Sequence, residues 1–216
     1  MIAFRVISLL AICALLGAAL YDLRRRESLR SALRELARQG GRGMLPLFGG
    51  VRKGWRERLR VLSLAFSFTF CIILALTGFS PVILSGSHLS GILLVIHVTF
   101  APLFALSLSA LALLWAHRLR FDASDWPALG APHGERSTEL RLLFALKAGF
   151  WIILWLSLPL LLTIILGLFP LFGTEGEAML IRLHGYSALL VLLAALTEIY
   201  LIIAYTTARN MKENTP

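Results

Sequence analysis

Apolar residues gather along this chain into long runs, separated by stretches rich in charged residues, glycine and proline. Five of these runs are each long enough to cross a hydrocarbon layer about 30 Å thick as a helix. The pattern therefore predicts an all-α membrane protein with five transmembrane helices. The predicted spans are Ile2–Tyr21, Val61–Leu84, Gly91–Trp115, Ala148–Leu171 and Ile181–Tyr205.

The runs divide the chain into three parts. We expect an N-terminal transmembrane helix over 1–22, a basic cytoplasmic interfacial segment over 23–60 and a membrane bundle of the last four helices over 61–210. In the interfacial segment arginine recurs every four residues, which is typical of a helix on anionic headgroups or against a partner subunit. These arginines are Arg26, Arg30, Arg34, Arg38 and Arg42.

The distribution of charge predicts how the chain is inserted. The hydrophobic fraction of 58% is above that of soluble domains, and the net charge is +9. Basic residues collect in 22–60, 117–147 and the C-terminal tail, so the positive-inside rule places these in the cytoplasm and the N-terminus outside. The basic excess is then a topology signal rather than a nucleic-acid site. We expect a multi-pass protein of the bacterial inner membrane, with 117–147 a solvated connection.

Two histidines within the predicted spans are the main candidates for chemistry. His97 and His184 lie near the outer ends of the third and fifth spans, which run in the same direction and so place both imidazoles at similar depth. Ionisable residues in a span are costly and suggest function. The pair can supply both axial ligands of one b-type haem, with Ala101 and Gly185 leaving room and Arg182 pairing with a propionate. Alternatively, each histidine only hydrogen-bonds across a helix interface.

A single glutamate deep in the fifth span is the second candidate. Glu198 follows His184 by fourteen residues, close to four helical turns, so both lie on one face roughly 21 Å apart. Glu198 either exchanges protons with a bound quinone or pairs with Ser63 or another polar group. The remaining histidines and both cysteines are expected to be interfacial, loop or core residues: His88, His117, His133, Cys13 and Cys71.

Several short motifs give the chain a family resemblance over residues 57–210. They are Thr77-Gly78, His97, Arg182 before His184-Gly185, and Ile199-Tyr200. In these the chain resembles the membrane cytochrome b subunits of formate dehydrogenases and nickel-iron hydrogenases. The resemblance implies a haem-binding four-helix bundle.

That family carries two haems, and its outer ligand pair falls on His97 and His184. Its inner pair falls near Ser63 and on Glu198, neither of which is histidine. The resemblance therefore implies one haem rather than two.

These observations predict a membrane electron-transfer subunit with one outer haem b. It would link a periplasmic redox subunit, an iron–sulfur protein or a c-type cytochrome, to the quinone pool. The alternative is a haem-free membrane anchor or assembly subunit of a redox complex. No catalytic residues are predicted, so any enzyme activity would belong to the complex. A small-solute transporter is disfavoured because the halves of the chain show no repeat.

Overall fold

The computed structural model describes residues 2–25, 54–126, 130, 135–169 and 171–213. Over these residues the chain is helical and contains no strand. The five helices are α1 (Ile2–Arg25), α2 (Trp55–Ser80), α3 (Gly91–Trp115), α4 (Glu135–Gly167) and α5 (Gly173–Glu213). The arginines proposed to lie on the membrane surface, from Arg26 to Arg42, are outside the described residues, as is His133.

All five helices are long and apolar enough to cross a membrane, which confirms the predicted all-α, multi-pass class. The third helix has the predicted bounds. By contrast, α4 and α5 begin well before the apolar runs at Ala148 and Ile181 and continue through polar residues. Hydropathy marks only the lipid-compatible part of a helix, and glutamate, arginine and leucine beside it favour helix as well.

The helices contribute to two compact units. The first unit comprises residues 1–13, 53–118 and 152–194. Within it α2 ends in a π-helical turn, Pro81–Ser85, and Gly86 closes that turn with a φ of 64° that favours glycine. This turn leads back into α3, which packs along α2.

At the far ends of α2 and α3 from that turn, two side chains bond the helices together. The Arg60 guanidinium donates to the Leu114 carbonyl at 3.0 Å, and the Trp115 indole donates to the Arg60 carbonyl at 3.3 Å. Trp115 is only 2% exposed, so this end of the helix pair is closely packed.

The second unit comprises residues 14–52, 119–151 and 195–216. In it the chain after α3 folds against the first half of α4. The Lys147 ammonium donates to both carboxylate oxygens of Asp125, at 2.7 and 2.8 Å. The Trp151 indole donates to the Leu119 carbonyl at 2.9 Å. Three aromatic rings also pack together in this region, from Phe121, Trp126 and Phe144.

The interpretation of 117–147 as a solvated connection agrees with the exposure of most residues in 117–126, but it was wrong for Asp125 and for the residues from 135 onward, which belong to α4. Asp125 and Lys147 are 7% and 9% exposed, and α4 already begins at Glu135. The mixed charge of the segment resembled a loop in the sequence, but the two opposite charges neutralise each other inside the fold. A buried charge is tolerated only when it is paired and hydrogen-bonded in this way.

Candidate functional site

The two span histidines meet in the first unit. The ring centroids of His97 on α3 and His184 on α5 lie 6.5 Å apart, and the ring planes are nearly perpendicular, at 80°. Segments of α2 and α4 in the same unit contact these two histidines, so parts of the last four helices converge here. The two rings that the sequence placed at similar depth are therefore direct neighbours in the structure.

His97 is held by the last turns of α2. Its Nδ1 lies 2.9 Å from the hydroxyl oxygen of Thr77. That hydroxyl has one proton, which it donates to the Ile73 carbonyl at 2.8 Å, with the Leu74 carbonyl at 3.3 Å. The Thr77 oxygen is then the acceptor and His97 Nδ1–H the donor. This assigns the tautomer in which Nε2 of His97 carries the free lone pair.

His184 is held in the same manner by α4. Its Nδ1 lies 3.2 Å from the Leu160 carbonyl oxygen and 3.4 Å from the Thr163 hydroxyl. Because a carbonyl oxygen only accepts, Nδ1 of His184 carries the proton and Nε2 carries the lone pair. The Thr163 hydroxyl donates its own proton to the Pro159 or Leu160 carbonyl, at 2.9 Å in each case.

A glycine makes the position of His97 possible. A Cβ atom added to Gly78 would lie 3.0 Å from Cε1 and 3.5 Å from Nδ1 of His97. The imidazole therefore packs against the backbone of α2, within reach of the Thr77 hydroxyl. This gives the Thr77-Gly78 pair a physical role: one residue bonds the ring and the next leaves space for it.

The arrangement fits a metal held between two imidazoles. Metal-binding histidines usually donate the second ring nitrogen to a carbonyl or another oxygen, as both do here. The ring centroids lie 6.5 Å apart, and each Nδ1 is bonded to a neighbouring helix, which leaves both Nε2 lone pairs available to a metal.

The number of available ligands decides which metal group these residues would fit. Among the described residues no group of three or more histidine, cysteine, aspartate or glutamate side chains can hold a bare metal ion. Two histidine nitrogens would, however, be enough to hold a haem iron, because the porphyrin supplies its other ligands. The residues present fit a haem better than a free ion.

The other predicted site residues lie as follows. Arg182 is exposed on α5, and a separation of two residues puts it about 200° around the helix from His184. Ser63 is buried, and its hydroxyl donates to the Arg60 carbonyl at 2.8 Å. His88 and His117 are exposed. The roles proposed for Arg182 and Ser63 stay predictions.

Glu198 lies in the second unit, against α4. One carboxylate oxygen, Oε2, is buried and has no hydrogen-bond partner among the described residues. A Cβ atom on Gly149 would overlap this carboxylate, so the side chain occupies space that only glycine leaves open. A buried oxygen that lacks a partner is rare in proteins and calls for an explanation.

Sequence reasoning missed the residues that orient the two rings. Thr77 was noticed only as part of a motif, and the Thr163 hydroxyl and Leu160 carbonyl were not considered. Thr163 had a detectable signal, since it is a hydrogen-bonding residue in an otherwise apolar part of α4. The carbonyl had none, because every residue carries one.

Comparisons with protein-family models, curated proteins and solved structures give no match for this chain. What the described residues define is an all-helical fold with five helices that can span a membrane and two neighbouring histidine rings. Any assignment of function therefore rests on the chain's own residues.

Proposed function

We propose that this chain is a membrane electron-transfer subunit that holds one b-type haem between His97 and His184. The observation that carries the proposal is the pair of imidazoles 6.5 Å apart, each with its Nδ1 bonded to a neighbouring helix. Two Nε2 lone pairs are then free to bind one iron. Bound haem would supply one-electron oxidation and reduction.

The protein's own contribution would be orientation and a dry environment. The Thr77 hydroxyl and the Leu160 carbonyl fix the two rings and make each imidazole a stronger electron donor through the Nδ1–H hydrogen bond. A stronger donor favours the oxidised iron, so these two bonds would help to set the redox potential.

The direction of insertion gives the subunit its place in a redox chain. With the N-terminus outside and the C-terminus in the cytoplasm of a bacterial inner membrane, the histidine pair lies near the periplasmic face. A periplasmic iron–sulfur or c-type cytochrome subunit would then exchange electrons with the haem. The quinone pool of the membrane would be the other partner.

Glu198 is the residue we propose for the quinone reaction. Reduction of a quinone to a quinol takes up protons with the electrons, so a proton-exchanging side chain beside the quinone assists it. Glu198 has a buried carboxylate oxygen with no partner among the described residues, whereas the Ser63 hydroxyl is already bonded to a backbone carbonyl. Of the two predicted residues, Glu198 therefore supports this role better.

A visible spectrum of the purified chain tests the proposal. We expect b-type bands on reduction and one haem per chain. His97→Ala and His184→Ala should each abolish the bands, while His88→Ala, at an exposed histidine, should keep them. A wild-type protein without bands would favour the haem-free anchor. Two haems per chain, one of them lost in His117→Ala, would contradict the single-haem proposal.

A further inference from the structure

The first helix, which lies outside the family resemblance, packs against the histidine site. The ring of Phe4 meets the ring of Tyr186 edge-on at 5.1 Å and stacks on Phe79 at 6.2 Å. A Cβ atom on Gly185 would lie 3.5 Å from Phe4. Gly185 follows His184 and Phe79 follows Gly78 in the chain. Phe4 therefore contacts α2, which bonds His97 through Thr77, and α5, which carries His184.

The face of α1 that carries Phe4 is its packed face. Ser8, four residues after Phe4 and so on the same side of the helix, is completely buried. Its neighbours Ile7, Leu9 and Leu10 are exposed. The Ser8 hydroxyl has no hydrogen-bond partner among the described residues. This face thus brings a polar group into the interior of the first unit.

Arg5 lies next to Phe4 and is half-buried. Its Nη1 atom is 3.2 Å from the position of a Cβ atom on Gly86, in the turn that links α2 to α3. Side chains on a helix lean toward its N-terminus, so the guanidinium of Arg5 points toward the start of α1. No hydrogen bond or ion pair joins Arg5 to another described residue. A guanidinium has five N–H donors, and a partly buried one gains most from a carboxylate that accepts two of them.

We propose that Arg5 binds a propionate of the haem held by His97 and His184, and that α1 thereby forms an additional wall of the haem site. This inference rests on the proposed function. Arg5 sits beside Phe4, which contacts α2 and α5 at residues close to Gly78 and His184. Arg182, the propionate partner expected from the sequence, is exposed and turned about 200° from His184 on α5.

The charge of Arg5 predicts the sign of the effect. Reduction adds one negative charge to the haem, and a nearby cation stabilises the reduced form. Arg5→Gln should therefore lower the midpoint potential of the haem. It should also speed haem transfer to a haem-accepting protein about tenfold, because loss of a residue that supports a metal centre typically weakens binding by about that factor. Arg5→Lys should give a potential and a transfer rate between those of Arg5→Gln and wild type, because lysine keeps the charge but not the planar pair of donors. Arg24→Gln, at an exposed arginine near the other end of α1, is the matched control and should behave as wild type.

A phosphate of an anionic lipid offers the same oxygen chemistry as a propionate. Arg5→Gln, Arg5→Lys and the wild type are therefore measured in zwitterionic lipid alone. They are measured again after reconstitution with haem whose two propionates are methyl esters. If Arg5 acts through a propionate, the difference between Arg5→Gln and wild type is present with native haem and absent with the ester. A difference that appears only after anionic lipid is added would identify a lipid phosphate and overturn the inference.

The remaining outcomes separate this inference from the proposed function. Wild-type protein that binds no haem would overturn both. Wild-type protein with haem, and an Arg5→Gln variant of unchanged potential and retention, would overturn only the role of Arg5. Melting temperatures of the two haem-free proteins show whether Arg5→Gln folds normally, and the charge-keeping Arg5→Lys variant provides the measurement if it does not.

Discussion

The hydroxyl oxygen of Thr77 lies 2.9 Å from Nδ1 of His97, across the contact between α2 and α3. Because the threonine proton is donated to the Ile73 carbonyl, the imidazole must donate to the hydroxyl. One hydrogen bond thus fixes both the orientation of the ring and the position of its proton, and leaves Nε2 available as a ligand.

Thr77→Val removes this acceptor with little change of shape. We expect about tenfold weaker haem binding, as when the supporting partner of a metal-binding histidine is lost. The midpoint potential should rise, because a ring without the Nδ1–H hydrogen bond is a weaker donor to oxidised iron. Haem titration and a redox titration measure the two effects.

The control for this variant is Thr99→Val. Thr99 lies on the same helix as His97, is exposed, and bonds only its own backbone at Val95. If Thr77→Val and Thr99→Val bind haem with equal affinity and equal potential, the hydrogen bond to His97 has no part in the site.

Gly78→Val should abolish haem binding while leaving the helix intact. Even the Cβ atom of alanine would lie 3.0 Å from the His97 ring, so Gly78→Ala should weaken binding and the larger valine should displace the imidazole. Helix propensity acts the other way, since alanine favours a helix over glycine by about 1 kcal/mol. The expected result for Gly78→Ala is a normal or higher melting temperature together with less bound haem.

Gly17→Ala and Gly17→Val are the controls for position 78. A Cβ atom on Gly17 would meet nothing within 4 Å, so both variants should keep their haem. Equal haem content in the valine variants at positions 17 and 78 would show that His97 does not need the space beside Gly78.

The class of fold was readable from the sequence because lipid imposes a strict length on apolar runs. The helix Gly91–Trp115, with 25 residues, was predicted with its correct bounds. Ser90 and Gly91 mark its start in the sequence, and the polar residues from His117 onward mark its end. The start of α4 was missed, because Lys147 looked like the end of a loop. It is neutralised by Asp125, a residue distant in sequence.

The histidine pair was predictable for the same reason, whereas its surroundings were not. Depth along two helices that run in the same direction follows from counting residues. The rotation of each helix does not, and rotation decides that His97 meets Thr77 and that Arg182 is exposed. The packing of Phe4 against Tyr186 joins residues from opposite ends of the chain and left no periodic signal in the sequence.

The ion pair between Lys147 and Asp125 should be essential for stability. Asp125→Asn leaves the Lys147 charge buried and without its counter-charge, which typically costs about 3–5 kcal/mol. The melting temperature in detergent should therefore fall clearly. Replacing both residues, as Asp125→Asn with Lys147→Met, should recover part of the loss because no buried charge remains.

The salt bridge between Arg118 and Glu57 provides the comparison for this pair. It joins side chains that are 38% and 22% exposed at 3.2 Å, and such pairs contribute only about 0–1 kcal/mol. Arg118→Gln should leave the melting temperature nearly unchanged. Equal losses in Asp125→Asn and Arg118→Gln would mean that burial of the Lys147 pair has no special effect.

Glu198→Gln should uncouple the haem from the quinone. The amide keeps the size of the side chain in the space beside Gly149 but cannot exchange a proton. Loss of a positioned acid or base typically slows a proton-coupled reaction about 100-fold or more. We therefore expect slow oxidation of reduced haem by a soluble quinone analogue, with unchanged haem content and visible spectrum. Glu177→Gln, nearer the start of the same helix, is the control and should react as wild type.

Gly149→Ala should also slow the reaction. Its methyl group occupies the space of the Glu198 carboxylate and so displaces it, whereas Glu198→Gln keeps the position of the side chain and removes only its charge and proton exchange. Wild-type rates in both Glu198→Gln and Gly149→Ala would leave Glu198 as a packing residue.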